Sequence, residues 1–208
     1  MWTLFFTPNT CALASHIVLE EVGAQYETKR IDFAAEEQRQ PDYLKINPLG
    51  RVPALITERG ILTETPAILA FIAQSYPEAG LAPLDDPFAF ARVQSFNSYL
   101  CSTAHVAHAH RMRGHRWVDP TNTAAIEAMQ RKVPESVTAS FRLVEDAFPD
   151  GPWVLGDGYS ICDAYLFTLA QWLEGDGVDL AGIPKVAAHR ERVRARPATQ
   201  RALAQEQG

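Results

Sequence analysis

The chain has 208 residues, 47% of them apolar and 21% charged, the usage of a globular protein with one large domain or two small ones. A formal charge of −6 excludes a chain-wide basic footprint for nucleic acid. Its cysteines, Cys11, Cys101 and Cys162, are odd in number and far apart, which excludes a disulfide-stapled scaffold, a zinc ribbon and a C-x-x-C redox pair.

Trp2–Phe6 is a short aromatic and apolar run suited to a buried strand. It has no positive flank and is too short for a signal peptide. No stretch approaches the ~20 apolar residues of a membrane span. A reducing cytoplasm is therefore the expected location. From Cys11 to Val22 the apolar residues fall at helical spacing, with Gly23 as a stop. Tyr26–Phe33 suits a second strand, and 41–46 a loop or short helix. Val52–Ile56 and Gly60–Leu62 suit two strands joined by a tight turn, and Thr65-Pro66 opens a helix.

Near residue 80 the character changes. Proline, glycine and aspartate mark a linker over 79–87. Beyond it, 88–112 reads as one long helix and 121–148 as another, with Pro134 as a kink or boundary. Ser160–Leu173 reads as a buried helix, followed by short polar helices over 185–196 and 199–205.

Three features carry chemistry. Cys11 stands between a strand and the first turn of a helix, where unpaired N–H groups favour a thiolate with a depressed pKa; a small buried packing residue is the competing reading. Val52-Pro53 at a strand entrance suits a cis bond, leaving the Val52 backbone open to an extended peptide. Glu64-Thr65-Pro66 joins an N-cap hydroxyl at an anion-binding helix terminus to a carboxylate for an ammonium group; a well-capped helix with a solvated Glu is the competing reading. A thiolate, a strand edge and an amino-acid receptor occur in the order that glutathione presents its parts.

The chain resembles the glutathione transferases, most closely the bacterial Beta class. The resemblance rests on 7–21 around Cys11, on Asn47-Pro48-Leu49-Gly50-Arg51-Val52-Pro53-Ala54-Leu55, on Leu62-Thr63-Glu64-Thr65-Pro66-Ala67-Ile68, and on 160–167. It covers essentially the whole chain. It implies an α/β thioredoxin-like N-terminal domain over 1–78, the linker 79–87, and an all-α helical domain over 88–208 that lines the site of the electrophile. It further implies that Cys11 sits against the glutathione sulfur, that Val52 and a cis-Pro53 hold the cysteinyl part, and that Glu64 and Thr65 hold the γ-glutamyl group. His105 matches a histidine that lends positive charge or a hydrogen bond at the thiol. Ser98 falls where the class usually has an asparagine reaching the same site.

Some positions depart from the class. Phe6 replaces a thiol-activating tyrosine of other classes, Ala12 a serine and Val106 a lysine. The stretch 34–37 is acidic where the class tends to carry a lysine for the glycine carboxylate of glutathione, so another cation is expected there. Phe6, His108, Met112, Arg113 and Trp117 are expected to line a cationic, aromatic second-substrate site. The histidines 105, 108, 110 and 115 have no neighbouring Cys, and no metal is expected. Ser160 and Asp163 read as a structural capping box. The resemblance implies glutathione as substrate, a homodimer, and no nucleic-acid or membrane partner. The reaction is transfer to an electrophile or Cys11-dependent thiol exchange. A glutathione-dependent isomerase or dehalogenase, or a non-enzymatic glutathione-binding module, is the alternative.

Overall fold

A computed structural model describes residues 1–207. Strand β1 (Trp2–Phe6) is flanked by β2 (Tyr26–Arg30), parallel to it, and by β3 (Ala54–Thr57), antiparallel; β4 (Gly60–Thr63) pairs antiparallel with β3. The sheet order is β2-β1-β3-β4. Leu4 and Leu55 face α1 (Ala12–Glu21) and α3 (Thr65–Ser75), and form the large core with Leu13, Ile17, Ile68 and Ile72. A smaller cluster of Phe5, Phe6, Ile31, Tyr43, Val52 and Ala54 fills the other face beneath α2 (Pro41–Leu44).

Strand β2 ends at Arg30, short of the expected Phe33. Ile31 still donates to Phe6, but Asp32 then accepts from the backbone of Ala34 and turns the chain. The linker is tethered: Leu81 accepts from the Ile161 N–H, and the Asp86 side chain caps α4 (Pro87–Tyr99).

The expected helix 88–112 is interrupted. A π turn over Leu100–Ala104, closed by the His105 N–H on the Leu100 carbonyl, separates α4 from α5 (His105–Arg113). Such turns are frequent at functional sites. Helix α6 (Thr123–Ala147) runs through Pro134 without a break. The proline ring packs on Gly177, where a Cβ would stand 3.2 Å from it. Helix α7 (Ile161–Ala170) is buried along its whole length. Ser160 and Asp163 form the expected capping box, and Asp163 also accepts from Val154 and from buried His189. Helices α8 (Pro184–Arg194) and α9 (Pro197–Gln207) complete the bundle.

The two units are packed together. Helix α1 lies against α7 and α9. Arg196 holds Glu21, Arg201 holds Glu20, and buried His16 meets Gln205 and Glu206. No helix of the described residues is long and apolar enough to cross a membrane.

Candidate active site

The Val52–Pro53 peptide bond is cis. The loop that leads to it is fixed from below. Both the Tyr43 hydroxyl, at 2.6 Å, and the Asn47 amide, at 2.7 Å, donate to the Arg51 carbonyl. Gly50 has φ +59, and a Cβ there would lie 2.8 Å from the Gln38 carbonyl, so the position requires glycine. Val52 is left with a carbonyl that faces Cys11 and an N–H with no partner among the described residues.

Cys11 is the N-cap of α1. Its thiol donates to the Val52 carbonyl at 3.5 Å. The expected depressed pKa is corrected: the Cys11 thiol is pushed up to about 11. Burial is the main cause; the Thr65 hydroxyl opposes it, and the neighbouring Cys101 and Glu64 add to it. Thr10 and Cys11 itself occupy the N–H groups that were to stabilise a thiolate. Ala12 donates to the Thr10 hydroxyl, Leu13 to the Thr10 carbonyl and Ala14 to the Cys11 carbonyl.

Thr65 is not the N-cap of α3. That place belongs to Glu64, at φ 68 and ψ 119, and no side chain caps the helix. A left-handed non-glycine residue costs on the order of 1–3 kcal/mol and persists where surrounding structure enforces it. Thr65 is buried at the first helical position, and its side chain is the chief influence lowering the Cys11 thiol pKa against burial. Pro66 has no N–H to satisfy, so the terminus keeps free donors beside the Glu64 carboxylate.

The helical domain supplies the opposite wall. His105 rests on Trp172, ring centroids 5.2 Å apart, and burial with the charges of His108, Arg116 and Arg51 lowers its pKa to about 4. The expectation that it lends positive charge is corrected: it is neutral at physiological pH. His108 stacks on Trp172 at 4.1 Å and binds buried Asp176 through Nδ1 at 2.7 Å. Asp176 also holds Arg111. Arg51, Arg113 and Arg116, by contrast, have no acidic partner among the described residues. Arg116 is made less basic by burial and by Arg51 and Arg113, while Cys11 acts in the opposite sense. Arg113 reaches across to Phe33 of the first domain.

Two further expectations are corrected. Phe6 does not line an open site; it is 4% exposed, in the core beside His16. Ser98 is exposed on α4 and makes no hydrogen bond, whereas the adjacent Asn97 is fully buried with both amide atoms unpartnered. Met112 is open to solvent, and Trp117 stands edge-on to His110 at 4.5 Å. Sequence reasoning read Cys101 as a packing residue and gave Tyr165, Arg51 and Trp172 no role in the site. Cys101 lies four residues before His105, a helical spacing that marks a shared face.

Comparison with known proteins places this arrangement. Residues 2–74 match the family model described as glutathione S-transferase, N-terminal domain, and residues 103–197 match that of the C-terminal domain. Glutathione S-transferase GstA of Escherichia coli O157:H7 is 32% identical over 206 residues, 98% of each chain. Disulfide-bond oxidoreductase YfcG of Escherichia coli K12 is 26% identical, covering 98% of this chain and 94% of that protein. A glutathione transferase homolog from Sulfitobacter, solved with bound glutathione, superposes with a TM-score of 0.93 at 46% identity, covering 99% of this chain and 98% of that one. The Beta-class enzyme of Sphingomonas chungbukensis gives 0.85 at 32%, with 98% of both chains covered. With a thioredoxin-like sheet domain, a helical second domain and these matches along its length, the chain belongs to the glutathione S-transferase family of enzymes, with bacterial Beta-class members among its structural neighbours.

Proposed function

We propose that the protein binds glutathione between its two domains and delivers the thiol to small electrophiles and to disulfides, with Cys11 serving the disulfide reaction. The observation that carries this reading is the convergence of Cys11, Val52 and Thr65. The Cys11 sulfur is held by the Val52 carbonyl, and buried Thr65 at the start of α3 is the chief influence lowering its pKa. A glutathione laid along that line pairs its cysteinyl amide with the open Val52 backbone beside cis-Pro53. Its γ-glutamyl carboxylate meets Thr65 and the free donors of α3, and its ammonium group meets Glu64.

The unpaired arginines 51, 113 and 116 suit the glycine carboxylate, in place of the lysine missing from 34–37. One carboxylate cannot neutralise three guanidinium groups. The surplus charge, with neutral His105 and Trp172 behind it, favours a flat, anionic electrophile. Rate comes from orientation of the thiol against that partner and from thiolate stabilisation by surrounding donors. The free thiols are consistent with a reducing cytoplasm. Ile61 on edge strand β4 and Phe88 in the first turn of α4, exposed at 44% and 76%, suit a homodimer contact.

Cys11→Ala tests the central claim. Disulfide reductase activity with glutathione is expected to vanish while conjugation to an aryl halide persists. Unchanged reductase activity would refute the role of Cys11, and calorimetry showing no glutathione binding to the wild type would refute the whole reading. Sedimentation tests the dimer: Phe88→Asp is expected to shift it to monomer.

A further inference from the structure

The loop that follows α7 brings one buried carboxylate to α5. Asp176 is 3% exposed, and its N–H donates to the Trp172 carbonyl at 2.9 Å. Glycines shape the loop on either side of it. Gly177 has φ +77, a conformation that favours glycine, and it packs against Pro134 of α6. A Cβ on Gly175 would stand 2.3 Å from the Arg111 guanidinium, so glycine leaves the room in which Arg111 approaches Asp176 Oδ1, at 3.3 Å. The other oxygen, Oδ2, holds His108 Nδ1 at 2.7 Å. A carboxylate only accepts, so Nδ1 is the donor and carries a proton. The imidazole cannot turn freely, because it stacks on Trp172 at 4.1 Å with 21° between the planes. Its second nitrogen, Nε2, has no partner among the described residues and is not enclosed, and 18% of the side chain is exposed. His189 and Asp163 make the same pair at 2.9 Å, but there the histidine is wholly enclosed and no ligand can reach it. His108 stands beside His105 on the same indole, ring centroids 6.3 Å apart. The helix that carries both meets the first domain where Arg113 reaches the Phe33 ring.

We propose that His108, oriented by Asp176, is a catalytic acid that delivers a proton to the second substrate, a flat carbonyl compound with a conjugated double bond. This rests on the glutathione reading given above. The glutathione thiol gives its proton to solvent, and the neutral imidazole takes one up at Nε2. Asp176 stabilises the imidazolium through Nδ1–H and is a positioning residue, as the carboxylate behind a catalytic histidine generally is. The thiolate sulfur then forms a bond to the β-carbon. The double bond shifts toward the carbonyl carbon, and the carbonyl oxygen takes the negative charge as an enolate. Nε2–H protonates that oxygen, the imidazole is neutral again, and the enol reverts to the carbonyl compound in solvent. The adduct contains every atom of glutathione and of the substrate, with no oxidant and no leaving group. An aryl halide makes no such demand, since its halide departs with the electron pair and needs no proton. Proton transfer from a positioned side chain contributes about 100-fold or more in rate, so the acid discriminates between these two kinds of electrophile.

The test compares the full-length wild type with His108→Ala, His108→Gln and Asp176→Asn on an aryl-substituted unsaturated ketone and on a chloronitrobenzene. Both His108 variants are expected to lose about 100-fold in kcat for the ketone and only a few-fold for the aryl halide. Asp176→Asn should show the same split to a smaller degree. Added imidazole should restore the ketone rate of His108→Ala several-fold and leave that of Asp176→Asn unchanged, a result that a merely structural role would not produce. Thermal melts identify any variant that does not fold, and His108→Gln, at a partly exposed position, keeps the comparison if Asp176→Asn is lost. Equal losses on both substrates, a ketone rate in His108→Gln equal to the wild type's, or no imidazole rescue overturns the proposal. Glutathione affinity is measured on the same samples by calorimetry. A wild type that binds glutathione and conjugates the aryl halide but leaves the ketone untouched overturns the role of His108 alone. A wild type that binds no glutathione overturns the glutathione reading, and the proposal with it.

Discussion

The Cys11 thiol donates to the carbonyl of Val52 across 3.5 Å. This contact joins the residue before the cis proline to the residue that opens α1. It presents the sulfur as a proton donor in the free protein. With a pKa of about 11, caused chiefly by burial, the thiol is almost entirely protonated at pH 7. Capture by iodoacetamide is therefore expected to speed up about tenfold per pH unit from pH 7 to 10, because only the thiolate reacts. Mass mapping of the Cys11 peptide gives the rate. A plateau already reached at pH 7 would show a depressed pKa instead.

His105 carries the opposite consequence for acid. Its folded pKa, about 4, lies below the ordinary 6.5 because of burial and the charges of His108, Arg116 and Arg51. The unfolded chain therefore binds more protons between those values, and stability falls as pH drops from 6.5 towards 4. The full difference is at most about 3 kcal/mol for this group. Urea unfolding of the wild type and His105→Asn across that range checks it. The gap between them should narrow or invert as the pH falls, and a constant gap would contradict a neutral buried imidazole.

The capping box separates fold from chemistry. Ser160→Ala is expected to cost about 0.5–2 kcal/mol. Asp163 serves Ser160, Val154 and His189 at once, all within 2.9 Å. Asp163→Ala leaves buried donors unpaired and should cost roughly 3–5 kcal/mol. Denaturant unfolding measures both. Ser160→Ala should keep the wild-type KM for glutathione, since its contacts lie within the start of α7.

The local motifs could be read from residue order because each is a short-range structure. A proline at a strand entrance, a Ser-x-x-Asp box and an apolar helix following it need only their own neighbours. The properties of Cys11 and His105 could not be read that way. Their pKa values depend on burial and on charges from distant segments, such as Glu64 and Cys101 for Cys11, or Arg51 and Arg116 for His105. The π turn was equally hidden. One residue added to a helical turn leaves the apolar pattern of 88–112 intact, yet it decides where Cys101 and His105 stand. Phe6 was misplaced because a substituted residue was given the location of the tyrosine it replaces, whereas an apolar ring on a central strand is better accommodated in the core.

The Arg51 carbonyl offers a graded test of how the site is held. Tyr43 and Asn47 both donate to it, at 2.6 and 2.7 Å, and so fix the peptide that precedes Val52. Neither side chain stands among the residues proposed to touch glutathione. Tyr43→Phe removes one hydrogen bond and no bulk, and should cost about 1 kcal/mol of stability. Asn47→Ala also loses the Leu49 N–H contact to the Asn47 side chain and should cost more. Because both loosen the Val52 backbone, both should raise KM for glutathione several-fold with a smaller change in kcat, and the double variant should be less than additive, since the two share one acceptor. Steady-state kinetics with varied glutathione resolves this. Unchanged KM in the double variant would show that the Val52 backbone is positioned by the cis bond alone.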